Sequence, residues 1–299
     1  MVEELTLINI ETNQRIYMDM DISEDYILGT VDWGSIVGTH HPHKFVNQIG
    51  ESNGNTTLGI REVRIEGWVI ADEGMAMEQK KKRLNSFVNP MQPIRLIYRK
   101  YCLEFYPNST IQYSSSAQDN NDVVCKFKME GTAFDPLFVD SVESRVSASS
   151  TLGAFKFPLS ISRIPSPPGG VLMGVKRSSV LFNIYNQGDV ETGFKILLRA
   201  KGRVVNPEII NVNTQQFFRI NKTLVSGEEI EIHTSIGHKK VIGRKYGKEE
   251  NYYPYRDINN TWFQLRIGDN VYKYNAQENI ENLEVFVDFR NKYLEVEGC

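Results

Sequence analysis

Residues 61–70 read Arg-Glu-Val-Arg-Ile-Glu-Gly-Trp-Val-Ile. Val63, Ile65 and Val69 alternate with Glu62, Arg64 and Glu66, the period of a strand with one buried face. The same period returns along the chain. Ile94, Leu96 and Tyr98 show it, then Cys125, Phe127 and Met129. In the second half come Phe194, Ile196, Leu198 and Ala200, then Ile230 and Ile232, then Leu283, Val285, Val287 and Phe289. Asn53-Gly54, Gln187-Gly188-Asp189, Ser226-Gly227 and Gly268-Asp269-Asn270 supply turns between such runs. Strands this frequent predict an all-β chain of sandwiches or barrels.

One segment departs from that period. Glu73 to Val88 is built mostly of helix formers, with Met77, Leu84 and Val88 on one face and Phe87 beside them. Asp72 is placed to cap the first turn, and Asn89-Pro90 stops the helix. The expectation is one short helix packed on a sheet.

The chain has 299 residues, enough for two domains of ordinary size. Ser141 to Gly170 holds eight serines, four prolines and three glycines, the composition of a connection between domains. The expected division is a domain over 1–140, a linker over 141–156 and a second domain over 157–299. Phe155, Phe157, Leu159 and Ile161 alternate, so the second domain is expected to open with a strand there. Gly34 to Thr57 is polar and weakly patterned, a long connection of the kind that serves function or moves.

A net charge of −3 gives no basic footprint for nucleic acid. No apolar run reaches the roughly 20 residues of a membrane span, and the N-terminus lacks the pattern of a secretory signal. Three cysteines are too few for a disulfide framework, which points to a chain made in a reducing cytoplasm.

Catalytic motifs are missing. No Gly-x-Ser-x-Gly, His-Glu-x-x-His or Cys-x-x-Cys occurs. His40-His41-Pro42-His43 concentrates three imidazoles, but no carboxylate or cysteine follows at metal-ligand spacing, so a solvated loop is expected. Asp19, Asp21 and Asp25 lack the glycine and closing glutamate of a calcium loop. Lys80-Lys81-Lys82-Arg83 spreads around a helix axis and makes no stripe. Neither cofactor nor metal is expected. Tyr246, Tyr252, Tyr253 and Tyr255 crowd a charged, Asn- and Gly-rich segment. Such a loop suits either a protein or sugar contact, or packing onto its own sandwich.

The order of these features resembles that of the distal tail protein family of siphovirus tail tips. The N-terminal motifs are Leu7-Ile8-Asn9 through Asn13-Gln14-Arg15-Ile16, then Tyr26-Ile27-Leu28-Gly29, then Arg61 to Gly67. They continue with Leu84 to Pro90, Ile94 to Tyr98, and Phe127 to Met129 ahead of Asp135-Pro136-Leu137-Phe138. In the second half they are Asn186 to Asp189, Gly202, Asn206-Pro207, Gly227-Glu228 with Ile230-Glu231-Ile232, and Trp262 before Gly268-Asp269-Asn270. His233-Thr234 stands where the family often has Asp-Thr. The resemblance implies an all-β fold: an N-terminal β-sandwich or split barrel with one helix, and a C-terminal galectin-like β-sandwich.

It also implies a non-enzymatic structural part of a phage or prophage tail tip or baseplate. Six copies would form a ring through the N-terminal domain, with the tail tube protein on one side and the hub or tail lysin on the other. A receptor-binding protein is a further partner of this kind. On that reading His40, His41, His43, Phe45 and Asn47 are candidate inter-subunit contacts, because the Gly34–Thr57 segment is placed to reach across. A second reading is a carbohydrate-binding module acting through the C-terminal sandwich. Its candidate surface is Tyr252, Tyr253, Tyr255 and Trp262, with Asn259, Asn260 and Arg266 near the tryptophan in sequence.

Overall fold

A computed structural model describes residues 4–20, 25–71, 74–153, 174–178 and 180–296. The chain divides into two units, Met1–Val142 with Lys292–Cys299, and Glu143–Asn291.

The first unit is built around one ten-stranded sheet. Its order is Lys292–Tyr293, Phe138–Asp140, Tyr101–Pro107, Ile94–Tyr98, Glu4–Asn9, Arg15–Asp19, Tyr26–Asp32, Arg61–Ile70, Val124–Ala133 and Gln112–Tyr113. Gly131↔Pro107 and Thr132↔Tyr106 join two non-neighbouring strands, so the sheet closes on itself as a barrel. The closure needs glycine at 131, because a Cβ there would lie 2.1 Å from the Phe105 ring. The alternating residues of the sequence all point inward: Val63, Ile65, Val69, Ile94, Leu96, Tyr98, Cys125, Phe127 and Met129 are buried together.

The helix is Gly74–Phe87, and Met77, Leu84 and Phe87 join that core. Asp72 lies outside the described residues. Asn9 finishes the helix: its Nδ2 donates to the Phe87 carbonyl at 3.0 Å, while its Oδ1 accepts the N–H groups of Glu11 and Thr12. Of the basic run, Lys80 pairs with Asp25 and Lys81 donates to Asn120, so the cations diverge as the helical period requires.

The segment expected as a long connection is a hairpin. Gly38–His43 pairs with Ser52–Leu58, from Gly38↔Leu58 to His43↔Ser52, with an irregularity at His41/Pro42. Alternation did not reveal it because neither of its faces is buried.

The second unit is a sandwich of two antiparallel sheets around one core. One sheet runs Ser144–Ser147, Leu283–Phe289, Phe194–Ala200, Glu229–His233, Lys240–Lys245 and Lys248–Asn251. The other runs Leu181–Asn186, Gly268–Glu278, Val204–Asn211 and Phe217–Arg219. Ile196, Leu198, Ile230, Ile232, Val285 and Val287 from the first sheet meet Ile184, Ile209, Phe218, Tyr272 and Tyr274 from the second.

Two boundaries differ from the sequence reading. Ser144–Ser147 and Ser149–Gly153, inside the expected linker, are strands; the first pairs with Leu283–Phe289. In Ser144–Ser147 the serine composition marks solvent exposure rather than lack of pairing. The C-terminal segment does not stay with the second unit. Lys292–Tyr293 pairs with Phe138–Asp140 in the first. The strand expected from Phe155 to Ile161 lies outside the described residues.

Candidate functional site

Arg61 anchors the hairpin root. It is fully buried, sharing the inward parity of Val63 and Ile65. Its Nε donates to the Pro136 carbonyl at 2.7 Å. Its Nη1 donates to the carbonyls of Trp33 at 3.1 Å and Gly34 at 3.0 Å, and its Nη2 donates to the Leu294 carbonyl. Glu295 lies 3.4 Å away as counter-charge, and the guanidinium sits 4.6 Å from the centre of the Phe138 ring. One planar donor fork therefore ties the hairpin root, the Asp135-Pro136 turn and the C-terminal segment together. Gly34 has φ +62°, and a Cβ there would meet the Glu62 carbonyl oxygen at 2.0 Å. The root closes where the Gly59 N–H donates to the Val37 carbonyl at 2.8 Å. A cleft of about 480 Å³ opens beside it, lined by Asp32, Ser35, Val37, Ile60 and Arg64 among others.

The hairpin itself has no core. Every residue of Gly38–His43 is exposed. His40 Nδ1 bonds to Thr56 Oγ1 at 2.9 Å, and His41 Nε2 to Thr57 Oγ1 at 3.2 Å. Adjacent strand residues face opposite ways, so these imidazoles diverge. Among the described residues no group of three or more His, Cys, Asp or Glu is arranged to hold a metal. His43 packs edge-on against Phe45 at 4.9 Å. At the tip, Gln48 Oε1 accepts the Phe45 N–H, and Asn47 takes φ +67°. That turn leaves Phe45, Val46 and Ile49 in solvent at 65%, 93% and 101% exposure. The structure thus brings His40, His41, His43, Phe45 and Asn47 onto one projection, with Val37, Leu58 and Ile60 also exposed near its root.

The tyrosine-rich segment is not one surface. Tyr252 is buried, and its hydroxyl donates to Glu228 Oε1 at 2.7 Å. Burial, then that carboxylate, pushes its pKa upward. Its ring fills the space that Gly243 leaves open, 2.2 Å from where a Cβ would stand. Trp262 is half-buried, edge-on to the core residue Phe218 at 4.8 Å and covered by the stacked ring of Tyr253. It is a core wall, not an open platform. Tyr253 and Tyr255 keep exposed edges.

Sequence reading missed a polar patch on the outer face of the second unit's smaller sheet. Strand pairing sets Arg219, Glu208 and Asn275 in one row across three strands. Arg219 donates to Glu208 Oε2 from Nε at 2.8 Å and Nη2 at 2.5 Å, and Asn275 Nδ2 donates to Glu208 Oε1 at 2.8 Å. In the next row Asn206 Nδ2 donates to Gln277 Oε1 at 2.7 Å. These side chains, with Asn221, line a pocket of about 260 Å³. The signal lay in the outward parity of Asn206, Glu208, Asn275 and Gln277, but only pairing shows that they converge.

Comparison with known families assigns both halves. Residues 35–128 match the phage tail protein RIFT-related domain, and residues 187–293 match the siphovirus-type tail component, C-terminal domain. The chain belongs to the siphovirus distal tail protein family. It is a phage tail component. Solved structures give the same fold at low identity. Dit (gp 19.1) of SPP1, described as a paradigm of the hub adsorption apparatus in phages infecting Gram-positive hosts, aligns with TM-score 0.64. It is 10% identical, over 96% of this chain and 98% of that one. A chain of the phage P2 baseplate in its activated conformation with Ca aligns with TM-score 0.54 at 11% identity, over 99% and 100%. The same baseplate with Sr gives 0.53 at 10%, over 98% and 99%. No curated protein matches. The first family match contains the whole hairpin, so the projection belongs to the tail domain itself.

Proposed function

We propose that this tail protein assembles into a closed homo-oligomeric ring, six-fold by family resemblance, which joins the tail tube to the hub or tail lysin. In the ring the Gly38–Leu58 hairpin lies on a neighbouring copy. The protein serves by binding and positioning, without catalysis, after synthesis in the host cytoplasm. A receptor-binding protein is a further partner on the outer side.

The observation that carries this reading is the hairpin. A two-stranded hairpin is marginal in water on its own. This one buries neither face, yet it holds Phe45, Val46 and Ile49 at its tip. Its strands alone extend about 20 Å at the usual rise per residue. Burying its apolar tip on another surface would stabilise both, by roughly 25 cal/mol per Å². A ring offers such a surface at every copy, because one patch meets a different patch on the next and the rotation closes.

The test is the mass of the full-length protein in solution and by electron microscopy. A ring of fixed copy number is expected. Phe45→Asp with Ile49→Asp should leave the thermal midpoint unchanged and shift the protein to monomer. An unchanged ring in that double variant would remove the hairpin from the interface.

A further inference from the structure

We infer that the Asn206/Gln277 and Glu208/Arg219/Asn275 face of the second unit is a binding site for a neutral saccharide. This goes beyond ring assembly and does not depend on it, since every residue concerned lies in Glu143–Asn291.

The first reason is charge. Glu208 is a nearly buried carboxylate, and Arg219 neutralises it through two hydrogen bonds. An anion would meet Glu208, and a cation would meet the Arg219 fork. A neutral ligand meets neither cost.

The second reason is hydrogen-bond capacity. Arg219 uses Nε and Nη2 on Glu208, which leaves Nη1 as a donor. The Asn206–Gln277 bond uses one amide N–H and one amide oxygen, which leaves Asn206 Oδ1 as an acceptor and Gln277 Nε2 as a donor. Asn275 Nδ2 is held by Glu208, which leaves its Oδ1 as an acceptor. Donors and acceptors therefore alternate across one small area. A hydroxyl both donates and accepts, so neighbouring hydroxyls on a sugar ring match such an array.

The third reason is rigidity. The pocket residues are fixed by strand pairing and by one another, so little side-chain entropy remains to be lost on binding. Its rim is held as firmly. The Asn221 N–H donates to the Tyr255 carbonyl at 2.7 Å, and Asn260 brackets Arg219 with two backbone bonds of 2.8 Å. Tyr255 itself is held there by the Tyr252 ring, edge-on at 5.3 Å, and by Lys222 over its own ring at 4.7 Å. A pocket of about 260 Å³ sits at the small end of ligand sites, fit for one ring at the end of a glycan.

The experiment titrates the full-length protein with galactose, glucose, N-acetylglucosamine, lactose and maltose, read by saturation-transfer NMR. Saturable binding of at least one, with Kd on the order of 1 mM, is expected. Gln277→Ala and Asn275→Ala should each weaken it about tenfold, and Gln277→Ala should do so without moving the thermal midpoint. Gln277 is exposed, so its variant folds whatever Asn275→Ala does. Arg219→Lys keeps the charge, loses the fork and should also abolish binding. No saturable binding across the panel would overturn the assignment. Binding that survives both Gln277→Ala and Asn275→Ala would overturn it too, as would binding confined to sialylated or phosphorylated sugars added to the panel.

Discussion

At the residue scale, Arg61 shows how period two informs and misleads. The alternation that put Val63 and Ile65 inside also puts Arg61 inside, yet a charged residue reads as surface. Its burial is possible because four carbonyl oxygens and one carboxylate surround it. Arg61→Ala orphans those carbonyls and should cost about 3 kcal/mol or more in denaturant unfolding. Arg61→Lys should recover only part, since one ammonium cannot span the fork. A loss below ~1 kcal/mol in Arg61→Ala would mean that water satisfies the carbonyls. Asp288 gives a pH-dependent case. Its carboxyl is buried in the second unit, 2.5 Å from Arg145 and 3.0 Å from Lys195. The Arg145 hydrogen bonds, then those of Lys195, hold its pKa below the usual 3.8. A folded value below the unfolded one contributes stability that is present above pH 3.8 and lost as pH falls through the folded value. Asp288→Asn should therefore destabilise at pH 7 by about 1–3 kcal/mol and converge on wild type in strong acid. An equal deficit at both pH values would assign the effect to packing instead.

At the element scale, the strands with one dry face were legible and those with none were not. Ile94–Tyr98 and Leu283–Phe289 could be read directly, because each alternates between core and solvent. Gly38–His43 and Ser52–Leu58 carry no such contrast, so their pairing was invisible, and Asn53-Gly54, expected as a turn, lies inside the second strand instead. The helix was legible from its apolar face and its Asn-Pro stop. The Tyr252–Tyr255 segment was half legible: clustering was visible, but not that Tyr252 turns inward to Glu228 while its neighbours stay out. Close approach between elements sets a further test. Gly131 lies where two strands close the barrel over Phe105. Gly131→Ala forces that buried ring aside and should cost about 1–3 kcal/mol, while Gly227→Ala, with open space but φ +81°, should cost less. The reverse order in chemical denaturation would show that the ring relaxes freely.

At the scale of the whole molecule, the chain returns to its first unit after completing its second. Composition suggested a single passage, because a linker is visible in sequence and a returning strand of two residues is not. The return has a definite physical content. Phe138↔Tyr293 and Val139↔Lys292 extend the barrel sheet. The Tyr293 ring lies edge-on to Tyr101 at 5.1 Å, and its hydroxyl donates to Asp140 at 3.0 Å. Val296 is buried in the same core, and Leu294 supplies one of the Arg61 carbonyl partners. The second unit ends at Asn291, whose side-chain oxygen accepts the Gln187 N–H at 3.1 Å. Deleting residues 292–299 should therefore lower one calorimetric transition and leave the other in place. Loss of two largely buried side chains and of the Arg61 contact predicts a drop of several kcal/mol in the first unit. Because Arg61 also holds the Trp33 and Gly34 carbonyls at the hairpin root, the truncated protein should exchange amide protons faster along Gly38–Leu58 than the intact one. Equal shifts in both transitions would show that the units unfold as one. A truncation that moved neither would show that Pro136, Trp33 and Gly34 suffice to hold Arg61 in place.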